Sequence, residues 1–255
     1  MALLFFVIMP LRYGLIGYPL THSFSPAYFQ KKFADEGVDA VYDLYPLNDI
    51  NEVAALLRNV KELRGLNVTI PYKEKVMPFL DEVDAVAATV GAVNCIDIHD
   101  GKTRGYNTDV IGFRESLQPL LLPHHTHALI LGTGGASKAV KYVLGQMGIA
   151  YKMVSRNKEE GQLTYKDITE DTIAEYTLII NTTPLGMSPE IDALPPLPYN
   201  VLTPHHLLYD LIYNPAETQF LAQGKRHGAI TQNGLEMLQL QADAAWGIWN
   251  YSPTV

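Results

Sequence analysis

The sequence predicts an α/β protein organised in two units. Three observations carry this. Strand-like and helix-like segments alternate regularly from about residue 13, the pattern left by strands joined through crossover helices, and it points to a largely parallel sheet. The alternation restarts near Thr108, where a helical segment is followed by a short buried strand, a glycine turn and another helix. The 255 residues, 47% of them hydrophobic, suffice for one large or two medium domains with real cores, and the last helical segment has the length to return to the first unit. The expected division is 1–107 with 235–255, and 108–234.

The elements follow in order. YGLIGYP (13–19) reads as a strand closed by Gly17 and Pro19. Next comes a helix with Ser25 suited to its cap, Pro26 to its first turn, Phe29 and Phe33 on one face and Gly37 at its end. AVYDLYPL (40–47) alternates as a strand does, and NDINEVAALLRNV (48–60) is amphipathic, opened by Asn48 or Asp49. LRGLNVTIP is a strand with a proline stop. KEKVMPFL and DEVDAVAATVG are expected as short helices, and AVNCIDIHDGKTRGYNTD as a hairpin turning at Asp100–Gly101. In the second unit DVIGFRESLQPLL is a helix, Ala128 to Leu131 a buried strand, Ser137 to Met147 a helix and 150–157 a strand. Residues 176–187, 206–215 and 228–234 read as later strands with their loops, the Pro-rich 193–204 as a loop, and 234–250 as a long final helix.

Composition excludes several classes of function. The formal net charge is −8, which argues against nucleic acid or an anionic membrane surface as the main partner. Cys95 is the only cysteine, so an intramolecular disulfide and a thiolate metal cluster are both ruled out, and a reducing cytoplasmic compartment fits. The apolar run from Ala2 to Met9 lacks a preceding basic residue and a small-residue cleavage site, and is far shorter than the roughly 20 residues of a spanning helix. It is expected to be a buried first strand or a start-site artefact.

Two places invite ligand chemistry. ALILGTGGASKAV sets Gly132, Gly134 and Gly135 between a strand and a helix, where a backbone can approach a pyrophosphate at a helix N-terminus. Position 137, where a third glycine would complete the fingerprint, is Ser, so a tight structural turn is the competing explanation. The next strand ends in Ser155, Arg156 and Asn157 instead of the carboxylate that grips an NAD ribose; a guanidinium there suits a 2′-phosphate and favours NADP. In the first unit, Ser23 and Ser25 stand two apart before a helix, where both hydroxyls could reach a ligand carboxylate or Ser25 could simply cap. Asp109 is open to the same choice between ligand contact and cap. Lys73 follows an apolar Thr-Ile-Pro-Tyr run; it is either a solvated lysine or an ammonium held for proton chemistry. His124, His125, His127, His205 and His206 fall in Pro-bounded loops with no acidic partner nearby, so surface loops are expected and no metal site.

Taken together, GYPLTHSFSP, GLNVTIPYKE, GAVN, GYNTD, GTGGASKAV, SRN, NTTPLGM, YDLIYNP and QNGLEMLQLQA resemble, in this order, the shikimate dehydrogenases, over about residues 13 to 250. The resemblance implies an N-terminal α/β substrate domain, a Rossmann-like NADP-binding domain over 108–234, and a site in the cleft between them. It implies NADPH-dependent reduction of 3-dehydroshikimate to shikimate, a step of aromatic amino-acid biosynthesis, by a monomer or homodimer without nucleic-acid or membrane partners. It assigns Lys73 as acid/base with Asp109. Ser23 and Ser25 match contacts to the substrate carboxylate; Asn67, Thr69, Asn94 and Gln241 match contacts to its hydroxyls, and Tyr213 an aromatic lining the site. Gly132, Thr133, Gly134, Gly135, Ala136, Ser155, Arg156, Asn157, Leu211 and Gly234 match cofactor positions. The family pattern often has Asn at 155, Thr or Ser at 157 and a second arginine a few residues on; here Lys158 is the nearest base. A quinate/shikimate dehydrogenase with broader cofactor use, and a catalytically silent NADP- or metabolite-binding regulator, are the competing functions.

Overall fold

The computed structural model describes residues 9–21, 23–157 and 159–250. Lys158 and all of the leading apolar run but Met9 lie outside the described residues. The chain divides into two compact units. One runs to Asn107 and takes in residues from 245 onward; the other is Thr108–Ala244.

The first unit holds β1 (Leu11–Gly17), α1 (Ser25–Glu36), β2 (Ala40–Pro46), α2 (Val53–Asn59), β3 (Leu63–Val68), β4 (Glu82–Val83), α3 (Ala85–Val90), β5 (Cys95–His99) and β6 (Lys102–Tyr106). Its six strands form one sheet in the order β2-β1-β3-β5-β6-β4. β2, β1 and β3 run parallel, but β3–β5 and β5–β6 are antiparallel. The sheet is therefore mixed. The cause is local: Asp100 (φ 50°) and Gly101 (φ 75°) make a two-residue turn that folds β5 straight back into β6.

Two expectations need correction here. Ser25 is the first residue of α1, not its cap; Phe24 holds the cap position without a side-chain hydrogen bond, while Ser23 Oγ accepts from Ser25 N at 3.3 Å. KEKVMPFL is not a helix either. Pro78 lacks the N–H a longer helix would use, and only a single 3-10 turn forms, Met77–Phe79. Glu82 and Val83 then pair with β6 as a strand.

One face of this sheet is aromatic. Tyr13, Phe29 and Phe33 meet Trp246 and Trp249 of the closing helix, and Tyr42 stacks on Phe29 at 4.6 Å. Gly65 makes the approach feasible, since a Cβ there would lie 2.3 Å from Trp249 Nε1. That indole donates to Ile96 O at 2.9 Å.

The second unit holds α4 (Asp109–Leu117), β7 (His127–Leu131), α5 (Gly135–Gln146), β8 (Ala150–Ser155), β9 (Leu163–Thr164), α6 (Glu170–Glu175), β10 (Leu178–Asn181), β11 (Leu207–Asp210), α7 (Gln219–Arg226), β12 (Ile230–Gln232) and the start of α8 (Leu235–Asn250). Its sheet runs β12-β11-β10-β7-β8-β9, parallel throughout. This is the doubly wound order, reversing between β7 and β10, and ligands of such sheets collect at that reversal, beyond the carboxyl ends of the strands. Side chains alternate across the sheet. Leu129, Leu131, Ile179 and Leu208 pack with Ile173 of α6 and Phe220 of α7. On the opposite side Tyr209 meets Phe113 of α4 edge-on at 5.2 Å, its hydroxyl 2.6 Å from Ser116 Oγ.

Candidate functional site

At the carboxyl ends of β1 and β3 the first unit gathers polar groups that an apolar sheet would otherwise exclude. Asn67 and Asn94 are buried, as is Ser25. Tyr42, on β2, ties them together: its hydroxyl donates to Asn67 Oδ1 at 2.7 Å and also hydrogen-bonds Ser25. Burial raises its phenol well above the ordinary value, while the Ser25 bond pulls the other way. With Oδ1 engaged, the Asn67 amide nitrogen turns toward Asn94 O, 3.4 Å away. Asn94 O also accepts from Val68 N at 2.9 Å, which joins the end of β3 to the segment before β5. Thr69 is anchored by its N–H to Ile16 O at 2.9 Å. Lys73 is half-buried in the turn that follows, and its carbonyl accepts from Val93 N at 2.7 Å. Ser23, Ser25, Asn67, Thr69, Asn94 and Lys73 thus all belong to this one unit.

Asp109, Gln241, Tyr213 and the expected cofactor residues belong to the second. Asp109 is buried in the first turn of α4 and is not its cap, a position held by Thr108. Thr108 Oγ1 donates to Gln241 Oε1 at 3.4 Å, bringing α4 and α8 together over Gly112. The close approach needs that glycine, because a Cβ at 112 would lie 2.4 Å from Met237 O.

The glycine turn divides by function. Gly132 has φ 105°, and a Cβ there would meet Thr182 Oγ1 at 2.8 Å, so the fold itself demands it. Gly134 and Gly135 are different: a Cβ at either would find nothing within 4 Å. They open α5 onto free space, as a cradle for a diphosphate at a helix N-terminus must. Ser137, at the third-glycine position, is buried and folds its hydroxyl back to Gly134 O at 2.7 Å. Thr133 and Ala136 flank the opening. At the end of β8, Ser155 Oγ accepts from Asn157 N at 3.3 Å and Arg156 is exposed. Leu211 and Gly234 meet backbone to backbone, a Cβ on Gly234 falling 2.1 Å from Leu211 O. These residues fit an adenine dinucleotide carrying a 2′-phosphate.

The histidines do not form simple surface loops. His125 and His206 are both buried. The N–H of Leu122 donates to His125 Nδ1 at 3.0 Å, and that of Thr203 to His206 Nδ1 at 3.1 Å. The segments LPHH and TPHH therefore build the same turn twice, each with an imidazole satisfying the N–H three residues back. The Nε2 atoms of His124 and His125 lie 2.9 and 3.1 Å from His205 O, which binds the two turns to each other.

Sequence reading missed two residues of consequence. Tyr42 was visible only as a strand aromatic, and Asp210 only as part of YDLIYNP. A charged residue closing an otherwise apolar strand was the one available signal for Asp210.

Residues 15–96 match the family described as the shikimate dehydrogenase substrate binding domain. A shikimate dehydrogenase (NADP(+)) of Desulforamulus reducens is 38% identical over 257 residues, 92% of this chain and 88% of its own. Among solved structures, a shikimate dehydrogenase of Aquifex aeolicus superposes with a TM-score of 0.84 at 36% identity, covering 94% of this chain and 92% of its own. A shikimate 5-dehydrogenase of Thermus thermophilus in complex with NADP(H) and shikimate gives 0.84 at 30% identity, covering 94% and 93%.

Proposed function

The chain belongs to the shikimate dehydrogenase family, and from that premise we propose that it catalyses the NADPH-dependent, reversible reduction of 3-dehydroshikimate to shikimate. The observation that carries the reading is the buried Ser25–Tyr42–Asn67–Asn94 chain within the family-matched segment. It gathers hydroxyl and amide groups in one buried place, which supports a small polar ligand there, where a purely structural core would keep carbon.

The residues take these roles. Ser23 and Ser25 bind the substrate carboxylate through their hydroxyls. Asn67, Thr69, Asn94 and Gln241 bind ring hydroxyls, and Tyr213 lines the ring. Such convergent hydrogen bonds discriminate strongly, because a ligand lacking a hydroxyl leaves a buried partner unpaired. Lys73 gives a proton to the carbonyl oxygen in reduction and takes it back in oxidation, with Asp109 holding the same oxygen and orienting the ammonium. Gly132 to Ala136 hold the diphosphate on the N-terminus of α5. Arg156, flanked by Ser155 and Asn157, holds the 2′-phosphate, and Leu211 and Gly234 border the nicotinamide end. When bound, NADPH supplies the hydride. The reading carries with it a cytoplasmic enzyme acting as a monomer or homodimer, with no nucleic-acid or membrane partner.

Initial rates crossing shikimate and quinate with NADP and NAD test it. Shikimate with NADP is expected to give the highest kcat/KM by at least tenfold. Comparable rates with quinate or NAD would assign the broader quinate/shikimate activity, and no turnover with any pair would leave a binding protein.

A further inference from the structure

Asp210 is a carboxylate that the proposed chemistry does not use, and it has no exposed surface. It closes β11, and hydrogen bonds reach it from three places. Asn181 Nδ2, at the end of β10, donates to Oδ1 at 3.0 Å. Ile212 N, in the turn after β11, donates to the same oxygen at 3.0 Å. Thr218 Oγ1, the cap of α7, donates to Oδ2 at 2.6 Å. Burial still lifts the carboxyl to about 6, against the pull of these donors. A chain that needed only packing here would be served by an apolar residue, since a buried carboxylate is costly even when satisfied.

What the carboxylate does is set an orientation. An amide can turn either way, but beside an acceptor Asn181 must present its nitrogen. That leaves Asn181 Oδ1 to accept from Thr183 N at 3.0 Å and from Thr183 Oγ1 at 2.6 Å. Thr183 Oγ1 in turn accepts from Leu185 N at 3.3 Å. The loop so held is the one that crowds Gly132, with Thr182 Oγ1 donating to Leu131 O at 2.7 Å. On the other side, the Ile212 bond holds the strand end that carries Leu211 and Tyr213, and Ile212 O accepts from Gly234 N at 3.0 Å.

We infer that Asp210 is a positioning residue for the dinucleotide. By fixing the Asn181 amide and the Ile212 N–H together, it joins the loop beside the glycine turn to the segment bordering the nicotinamide. It touches neither reactant. The inference rests on the reading that a dinucleotide binds at this edge.

The test compares Asp210→Ala, Asp210→Asn and Thr218→Val with the wild type, well below their melting temperatures. NADP affinity is read by calorimetry, and KM for NADP and for shikimate by initial rates. Asp210→Ala is expected to weaken NADP binding about tenfold or more, the scale of a lost hydrogen bond to a charged group, with a smaller rise in shikimate KM through Tyr213. Asp210→Asn should recover most of that affinity, because its oxygen can still accept from Asn181 and Ile212 while Thr218 rotates to accept from its nitrogen. Thr218→Val keeps the carboxylate and covers the case in which the alanine variant does not fold; it should weaken NADP several-fold. Lowered melting temperatures with unchanged NADP affinity and KM would overturn the inference and leave Asp210 a stability element. A wild-type chain that binds NADP without oxidising shikimate would sink the functional reading and leave the positioning test intact; a wild type that binds no NADP would sink both.

Discussion

Arg156 is the residue to which we assign cofactor choice. It is exposed at the end of β8, where a chain selecting NAD would carry a carboxylate, and Ser155 braces the backbone beside it. Arg156→Ala should raise KM for NADP by about ten- to a hundredfold, the range of a charge-assisted phosphate contact, and leave KM for NAD nearly unchanged. Equal effects on both cofactors would remove Arg156 from this role. At this scale the sequence singles out residues whose type is unusual for their place: a lysine after an apolar run, an arginine where an acid is expected. It was uninformative for Tyr42, because a tyrosine on an alternating strand reads as core, and its bonds to Ser25 and Asn67 exist only after two other elements are in place.

Elements were legible where one rule dominates. Pro26 and Gly37 bracket α1, and Asp100–Gly101 dictates its hairpin. They were lost where two rules compete. The six residues of α6 are too few to show a helical period, and α7 carries Gly224, which reads as a breaker until it is seen to lie against Leu208, whose Cδ2 would be 2.8 Å from an added Cβ. Gly65 yields a test at this scale. Gly65→Ala pushes a methyl into the Trp249 indole, so stability should fall by roughly 1–3 kcal/mol with a change in tryptophan emission; an unchanged melting curve would show that α8 yields freely.

The paired histidine turns give the second. His125 must keep Nδ1 unprotonated to accept from Leu122, and burial lowers its pKa below the ordinary 6.5, with His124, His205 and His206 facing it as further positive charge when protonated. A histidine depressed in the native state binds protons less readily than in the unfolded chain. Its contribution is therefore intact above about 6.5 and is lost as pH falls from there toward the lowered native value. His125→Asn, whose amide oxygen accepts but does not titrate, should lose less stability than the wild type between about pH 7 and 5 in urea melts. Parallel losses would place the acid sensitivity elsewhere.

For the whole molecule, the proposed roles fall on residues of both units. The two-unit α/β plan followed from alternation and from its restart near Thr108. Of the mixed first sheet, the antiparallel β5–β6 pair was legible in its Asp100–Gly101 turn, while the antiparallel β3–β5 pair was not, because strand composition does not set strand direction. The account stands or falls on the proton. Lys73→Ala should lower kcat by roughly 100-fold or more, the usual scale for a positioned acid/base. Affinity for NADP should be unchanged, since the lysine lies outside the unit that carries the glycine turn. Asp109→Asn should lower kcat as well, and the double variant should fall far short of the product of the two losses. The decisive measurement is kcat of Lys73→Ala at saturating shikimate and NADP. A loss of two orders of magnitude or more with NADP affinity intact is the result expected; a wild-type kcat with only a raised shikimate KM would show that Lys73 binds substrate and transfers no proton.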